Sequence, residues 1–402
     1  MLKNISNIVM LAIVIPMSVM TVSPLVRGES ARNHTPIIPA PPQLAAEGYL
    51  LLDADTGRIL VEHNSKQRLP PASLTKIMTS FVAADEMDRG TISETDEVDI
   101  SVKAWKMEGS RMFIQEGTKV PVGMLMKGII IQSGNDASVA MAEHIAGSED
   151  AFADVMNQHA KRLGMTDTRF MNATGLPDEA HYTTASDLAK LTIALINQHP
   201  DHYKVYSEKS FRYNEINQNN RNSLLWGDKS VDGVKTGHTD AAGYCLVASA
   251  VRNGMRLVSV VMGTKSVKAR ARESQKLLSY GFRYFETVRL YDADEILNTV
   301  RLWEAVSPTV SMGLSEAVAI TIPRGAKDSL TAAMDIENVI RGPIIAGQEL
   351  GQLTVSMGED TIYQGALVAL KDIPEAGFFK GIWHSLSLFF LQLFGGDPLK
   401  IS

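Results

Sequence analysis

The spacing of apolar residues changes character several times along the chain. From Gly48 to Glu62 two β-rich runs flank Asp55-Thr56-Gly57, which predicts a hairpin. The period then becomes helical. Leu74–Met87 follows Pro70-Pro71-Ala72-Ser73, a helix-start pattern, and Val122–Gln132 and Ala137–Ala146 predict two further helices. Ser148–Leu163 opens on a capping serine and closes at Gly164. Thr184-Ala185-Ser186-Asp187 precedes another apolar helix, Leu188–Ile196. Tyr244–Val251 and Met255–Met262 then flank Asn253-Gly254, the strongest short hairpin cue. Strands before and after a helical stretch predict an α+β domain, with one sheet built from both ends and covered by helices, rather than repeated βαβ units.

From Val288 the runs become short and β-rich: Val300–Trp303, Ala317–Ile322, Leu353–Ser356 and Gly365–Leu370. They predict a smaller all-β domain over 288–375. In the last segment, 376–402, Phe378, Phe379, Ile382, Trp383, Leu386, Phe389, Phe390, Leu393 and Phe394 draw one apolar stripe at helical spacing. Lys380, His384, Ser385, Ser387 and Gln392 lie off it. Polar residues break the segment too often for it to span a bilayer, so it suits a helix lying in the membrane interface. Packing on a core or on a second copy is the rival use.

At the other end, Lys3 precedes an apolar stretch from Ile8 to about Val22, interrupted by Pro16. It is shorter than the roughly 20 residues of a spanning helix and predicts a secretory signal peptide over 1–30. An uncleaved anchor is the alternative, and both place the rest of the chain outside the cytoplasm. Asn33–Gln43 holds four prolines and reads as part of a linker or extended arm over 31–47, before a main domain at 48–287.

Composition narrows the function. The chain has 402 residues, enough for two or three domains, and a formal net charge of -6 with no basic stripe, so nucleic acid is not an expected partner. The single cysteine, Cys245, cannot form an internal disulfide and sits in an apolar strand run.

Three short motifs carry chemistry. Ser73-Leu74-Thr75-Lys76 sets a hydroxyl and an amine one helical turn apart, on one face. A serine needs a nearby base, and a lysine can serve only when burial or a neighbouring cation lowers its pKa from about 10.4. Ser133-Gly134-Asn135 falls on a loop between helical patterns, where the hydroxyl can relay a proton and the amide can hold a carbonyl. Lys235-Thr236-Gly237 opens the later strand region. It offers a cation and a hydroxyl for a carboxylate, and a glycine that lets another backbone approach. Alone each is a helix start or a turn; all three in this order arise by chance about once in several hundred chains.

Together the motifs resemble those of the penicillin-recognising serine acyltransferases. Pro71–Thr79, Ile131–Ala137, Asn220-Arg221-Asn222 before Leu224-Leu225-Trp226, and Val231-Asp232-Gly233 before Lys235 are similar to the low-molecular-mass D-alanyl-D-alanine carboxypeptidases of the type-5/6 penicillin-binding group. The resemblance runs from about Gly48 to the C-terminus. It implies a β-lactamase/transpeptidase-like domain with an antiparallel sheet, and removal of the terminal D-alanine from peptidoglycan pentapeptides. It also implies acylation by β-lactams, no cofactor and no metal.

By the same resemblance Ser73 is the nucleophile, Lys76 the general base and Ser133 the proton relay. Asn135, Lys235, Thr236, Gly237 and His238 bind substrate, with the backbone N–H groups of Ser73 and His238 as the oxyanion hole. Arg270 meets the substrate carboxylate, with Arg272 as its competitor, and Arg221 braces the second motif. Asn172–Asp178 resembles a loop near the site but carries Thr174 where some members have His. Three rivals share this reading: a β-lactamase of the same fold, for which Gly175–His181 lacks a Glu-x-x-Asn spacing; an endopeptidase that cuts cross-links; and an inactive wall-binding protein. No Gly-x-Ser-x-Gly, His-Glu-x-x-His or Cys-x-x-Cys occurs, which disfavours other hydrolase classes.

Overall fold

The computed structural model describes residues 37–394 and 396–401, and not the side chains of 378–380. The expected signal peptide and the start of the arm therefore lie outside the described residues.

The two expected hairpins join in a single five-stranded antiparallel sheet. Its order is Ile59–His63, Gly48–Asp53, Met255–Thr264, Gly243–Arg252 and Val231–Thr239. Leu50 and Val247 both stand opposite Val260. Alternate residues of these strands face different cores. Leu50, Leu52, Val247, Val258 and Val260 pack under the helices, while Leu51, Leu246, Leu257 and Val261 pack with Leu277 and Leu278 on the other face. Both faces are buried, so the strands read as continuous apolar runs in the sequence.

Helices Lys76–Asp88, Asn135–Ala146, Glu149–Arg162 and Ala185–Gln198 form the first layer. Ser148 and Thr184 cap two of them, accepting hydrogen bonds from the N–H groups of Ala151 and Asp187. The predicted helix over Val122–Gln132 ends differently. Regular helix covers Val122–Lys127, and Gly128–Gln132 is a wider turn that delivers Ser133. The layer on the other face is the helix Val267–Tyr284, capped by Ser266; sequence periodicity did not mark it. The Lys235 motif lies within the Val231–Thr239 strand, which is an edge of the sheet, rather than at the strand's start.

The second domain begins at Phe285, slightly before the expected boundary. Phe285–Tyr291 pairs with Val318–Pro323, and five further strands form an antiparallel sheet around Val300, Met312, Leu353 and Leu367. Asp53 ties the domains together by accepting hydrogen bonds from Thr287 and Thr321. The final helix spans Phe378–Leu393, not all of 376–402; beyond it the chain returns to the β domain, where the Pro398 carbonyl accepts from the Trp303 indole at 3.0 Å.

Candidate active site

The Ser73 segment is a tight helical turn, Ala72–Thr75, leading into Lys76–Asp88. Ala72 holds φ +49°, the left-handed region that alanine seldom adopts, and so turns Ser73 toward the sheet edge. The edge strand comes close. A side chain at Gly237 would meet the Pro71 carbonyl at 3.1 Å and Leu74 at 3.2 Å, so only glycine fits without displacement.

Lys76 is fully buried, yet its amine is surrounded by acceptors. It donates to Ser73 Oγ at 3.2 Å, Asn135 Oδ1 at 2.7 Å and the Thr174 carbonyl at 2.5 Å. Burial, followed by the nearby Arg221 guanidinium, lowers its pKa to about 7, against the opposing pull of Asp136 and Glu149. Near neutrality about half of the lysine is therefore uncharged and able to accept a proton.

Ser133 sits at φ +66°, between the wide turn and the helix that begins at Asn135. Its hydroxyl accepts from Lys235 Nζ at 2.8 Å. Lys235 also donates to the Thr236 carbonyl and is only 2% exposed. Burial, Lys76, Arg221 and Arg270 hold its pKa well below the ordinary lysine value. Arg270 donates to the Gly237 carbonyl at 3.0 Å and faces the Tyr244 ring, which stacks on His238. Arg272 is elsewhere, paired with Glu273.

These groups surround a cavity of about 360 Å³, whose wall includes Ser73, Ser133, Asn135, Arg221, Thr236, Gly237, His238 and Arg270. Lys76 and Lys235 lie beneath it, bonded to Ser73 and Ser133 of that wall. Arg221 stands on the wall and acts on both lysines through its charge; among the described residues it makes no hydrogen bond to Ser133–Asn135, so it does not brace the second motif as expected.

Four contributors were not assigned from sequence. The Asp136 carboxylate accepts from the backbone N–H groups of Met112, Phe113 and Ile114 and so fixes the segment that carries Gly109 and Ser110 on the cavity wall. Asn172 Oδ1 accepts from Thr174 and Gly175, shaping the loop that offers its carbonyl to Lys76. Gly175 (φ +82°) leaves no room for a side chain: a Cβ there would lie 1.8 Å from the Ala72 carbonyl oxygen. His181, buried behind the Ala72–Thr75 turn, shares a 3.0 Å hydrogen bond with Thr75. Burial depresses its pKa to about 4, so it is neutral at pH 7. An aspartate after the second motif and an Asn-x-x-Gly turn were the available signals.

The profile of a family described as D-alanyl-D-alanine carboxypeptidase matches residues 35–266, and that of the penicillin-binding protein 5 C-terminal domain matches 285–375. D-alanyl-D-alanine carboxypeptidase DacA of Escherichia coli K12 is 43% identical over 371 residues, covering 90% of this chain and 92% of that protein. The crystal structure of penicillin-binding protein 5 from Haemophilus influenzae superposes with a TM-score of 0.80 at 40% identity, over 84% of this chain and all of that one. Penicillin-binding protein D2 from Listeria monocytogenes, solved in an ampicillin-bound form, matches with a TM-score of 0.56 at 29% identity, over 61% of this chain and all of that one.

Proposed function

The chain belongs to the D-alanyl-D-alanine carboxypeptidase family and is a serine-type carboxypeptidase of that kind, and we propose that its catalysis runs through Ser73, Lys76, Ser133 and Lys235. The Lys76 amine, held 3.2 Å from Ser73 Oγ and poised near neutrality, carries this reading. Neutral Lys76 removes the hydroxyl proton as Ser73 Oγ attacks the carbonyl of the penultimate D-alanine. The N–H groups of Ser73 and His238 receive the developing oxyanion. The C–N bond breaks and the departing D-alanine amine takes a proton through Ser133, which Lys235 contacts. Lys235, Thr236 and Arg270 hold the terminal carboxylate, and Asn135 orients the peptide while it also holds Lys76. Water then attacks the ester, giving the shortened stem and free Ser73.

A β-lactam offers Ser73 the same carbonyl, but its leaving amine stays attached through the opened ring. With no Glu-x-x-Asn pair in Gly175–His181 to activate a deacylating water, the adduct should persist, which separates this site from a β-lactamase. The decisive assay is D-alanine release from a pentapeptide by the purified chain beside its Ser73→Ala variant. The wild type releases it and the variant does not; an active variant would overturn the nucleophile.

The last helix supports an extracytoplasmic, membrane-surface location. His384 and Ser385 bond to Glu304 and Leu388 is buried, whereas Trp383, Phe389 and Leu393 stand 61–70% exposed on the opposite side. No helix among the described residues is long and apolar enough to cross a bilayer. Its outward stripe fits insertion into the interface. A Leu386→Glu, Phe389→Glu variant should lose sedimentation with anionic vesicles while keeping D-alanine release; undiminished sedimentation would remove the helix as the anchor.

A further inference from the structure

We propose that the outer edge of the β domain, strand Leu330–Ile336, is a docking site for an extended segment of a partner protein, one that alternates apolar and polar residues and ends in a basic side chain. This goes beyond the carboxypeptidase reading and does not draw on its site.

The strand is the last in its sheet, antiparallel to Glu349–Met357 in unbroken register from Leu330↔Met357 to Ile336↔Gly351. Just beyond it, Glu337 donates its N–H inward to the Leu350 carbonyl. Hydrogen bonds alternate along an antiparallel ladder, so Ala332, Met334 and Ile336 direct their N–H and C=O groups away from the sheet. No other strand among the described residues pairs with them. The opposite edge of the same sheet, Asn298–Arg301, is shorter and is covered, since the Arg301 N–H reaches the Leu399 carbonyl. Folded proteins guard a long edge with proline, lysine, a bulge or a covering segment. Leu330–Ile336 has none of these.

Side chains define what would fit. Leu330 and Ile336 pack on the β-domain core, whereas Ala332 and Met334, on the same face between them, are exposed. Apolar residues set opposite these two by an added strand would extend that core. At the Ile336 end lies a cavity of about 550 Å³, with Asp335, Glu337 and Glu349 on its wall and no basic side chain. Among the described residues none of the three carboxylates forms an ion pair. This charge favours a lysine or arginine at that end of the incoming strand. It disfavours a second copy of this chain, whose own Leu330–Glu337 carries two acids and no base.

The test is binding of the synthetic peptide Lys-Thr-Val-Thr-Val-Thr-Lys to the full chain in detergent, read by fluorescence anisotropy. Glutamate in place of both lysines should weaken binding by about tenfold or more. Met334→Pro removes an outward N–H that the protein's own sheet does not use, and should weaken binding about fivefold while D-alanine release is kept. Asp335→Asn, Glu337→Gln should weaken it about three- to fivefold, less in high salt. N-methylation of the peptide's five central residues should abolish binding, and it decides the matter if Met334→Pro fails to fold. No binding of the lysine peptide, or binding that survives N-methylation, overturns the edge as a docking site. Equal binding of the lysine and glutamate peptides overturns the choice of a basic partner. A dimer of the full chain that Met334→Pro dissociates overturns the partner protein in favour of a second copy.

Discussion

The acid limb of the pH–rate profile should report Lys76. An ordinary lysine, with pKa near 10.4, is uncharged in roughly one molecule in a few thousand at pH 7. Burial and Arg221 bring this one to about 7. The depression, 10.5 to about 7, is worth ~5 kcal/mol in favour of the free base. Since only that form can take the Ser73 proton, kcat/KM should rise with pH, from roughly a tenth of its plateau at pH 6 to half at pH 7 and about nine-tenths at pH 8. Because kcat/KM reports the free enzyme, the profile should be measured at substrate concentrations well below KM. A bound carboxylate brings negative charge next to both lysines and raises their pKa, so the limb in kcat should lie at higher pH. Arg221→Gln removes the second largest cause of the depression and should move the kcat/KM limb upward, apart from any loss in its height. A profile flat from pH 6 to 8, or one that Arg221→Gln leaves in place, would refute the assignment of Lys76 as the base.

Other consequences are open to direct measurement. Gly175→Ala forces a Cβ to within 1.8 Å of the Ala72 carbonyl oxygen, and should cost upward of ~3 kcal/mol in denaturant unfolding together with activity. Gly164→Ala, equally left-handed but facing open space, should cost only ~1–2 kcal/mol and spare activity; equal costs would show that the clash is relieved by loop movement. Asp136→Asn weakens three charge-assisted hydrogen bonds to the 112–114 backbone and should destabilise by ~2–4 kcal/mol, with kcat/KM falling as the Gly109–Ser110 wall loosens. Lys76→Met should abolish catalysis but relieve the cost of a buried titratable group. The unfolded chain holds its lysine proton up to pH 10.5 and the native chain only to about 7, so native stability due to this group rises between those values and its cost is full below 7. The Tm of Lys76→Met relative to wild type should therefore be higher at pH 6.5 than at pH 9, and a difference independent of pH would show that Lys76 titrates normally.

The elements most legible in the sequence were those with strong local signals. Asn253-Gly254 and Asp55-Thr56-Gly57 are turns whose backbone requirements few other residues meet, and both hairpins stand where expected. Ser148 and Thr184 mark helix starts because a side-chain oxygen there replaces a missing backbone acceptor. The helix Val267–Tyr284 escaped notice because Arg270, Glu273 and Ser274 interrupt its apolar face, yet all three are buried. Functional residues on a core-facing side look polar, and so hide the periodicity. For the same reason the motifs named Ser73, Ser133 and Lys235, but the Thr174 carbonyl, the Asp136 clamp and Gly175 emerged only in three dimensions. Backbone atoms and close approaches leave little trace in residue type.

The arrangement also explains why the site needs three distant segments. Lys76, Lys235, Arg221 and Arg270 crowd one cavity, and none of them meets a carboxylate there in an ion pair among the described residues. Each raises the cost of charging the others, and the largest cause of both lysine shifts is burial. Burial and these neighbouring cations lower the pKa of both lysines, that of Lys76 to about 7, one beside each serine, while the arginines offer their charge to an anion. A single segment could not do this, because residues on one exposed turn remain in water and keep ordinary pKa values. The helix that carries Lys76 must be sealed by the Asn172–Gly175 loop on one side and by the sheet edge at Gly237 on the other. Catalytic competence is then a property of the closed fold, and an intact Ser-x-x-Lys motif in a chain that cannot close this seal should be as inert as any surface serine.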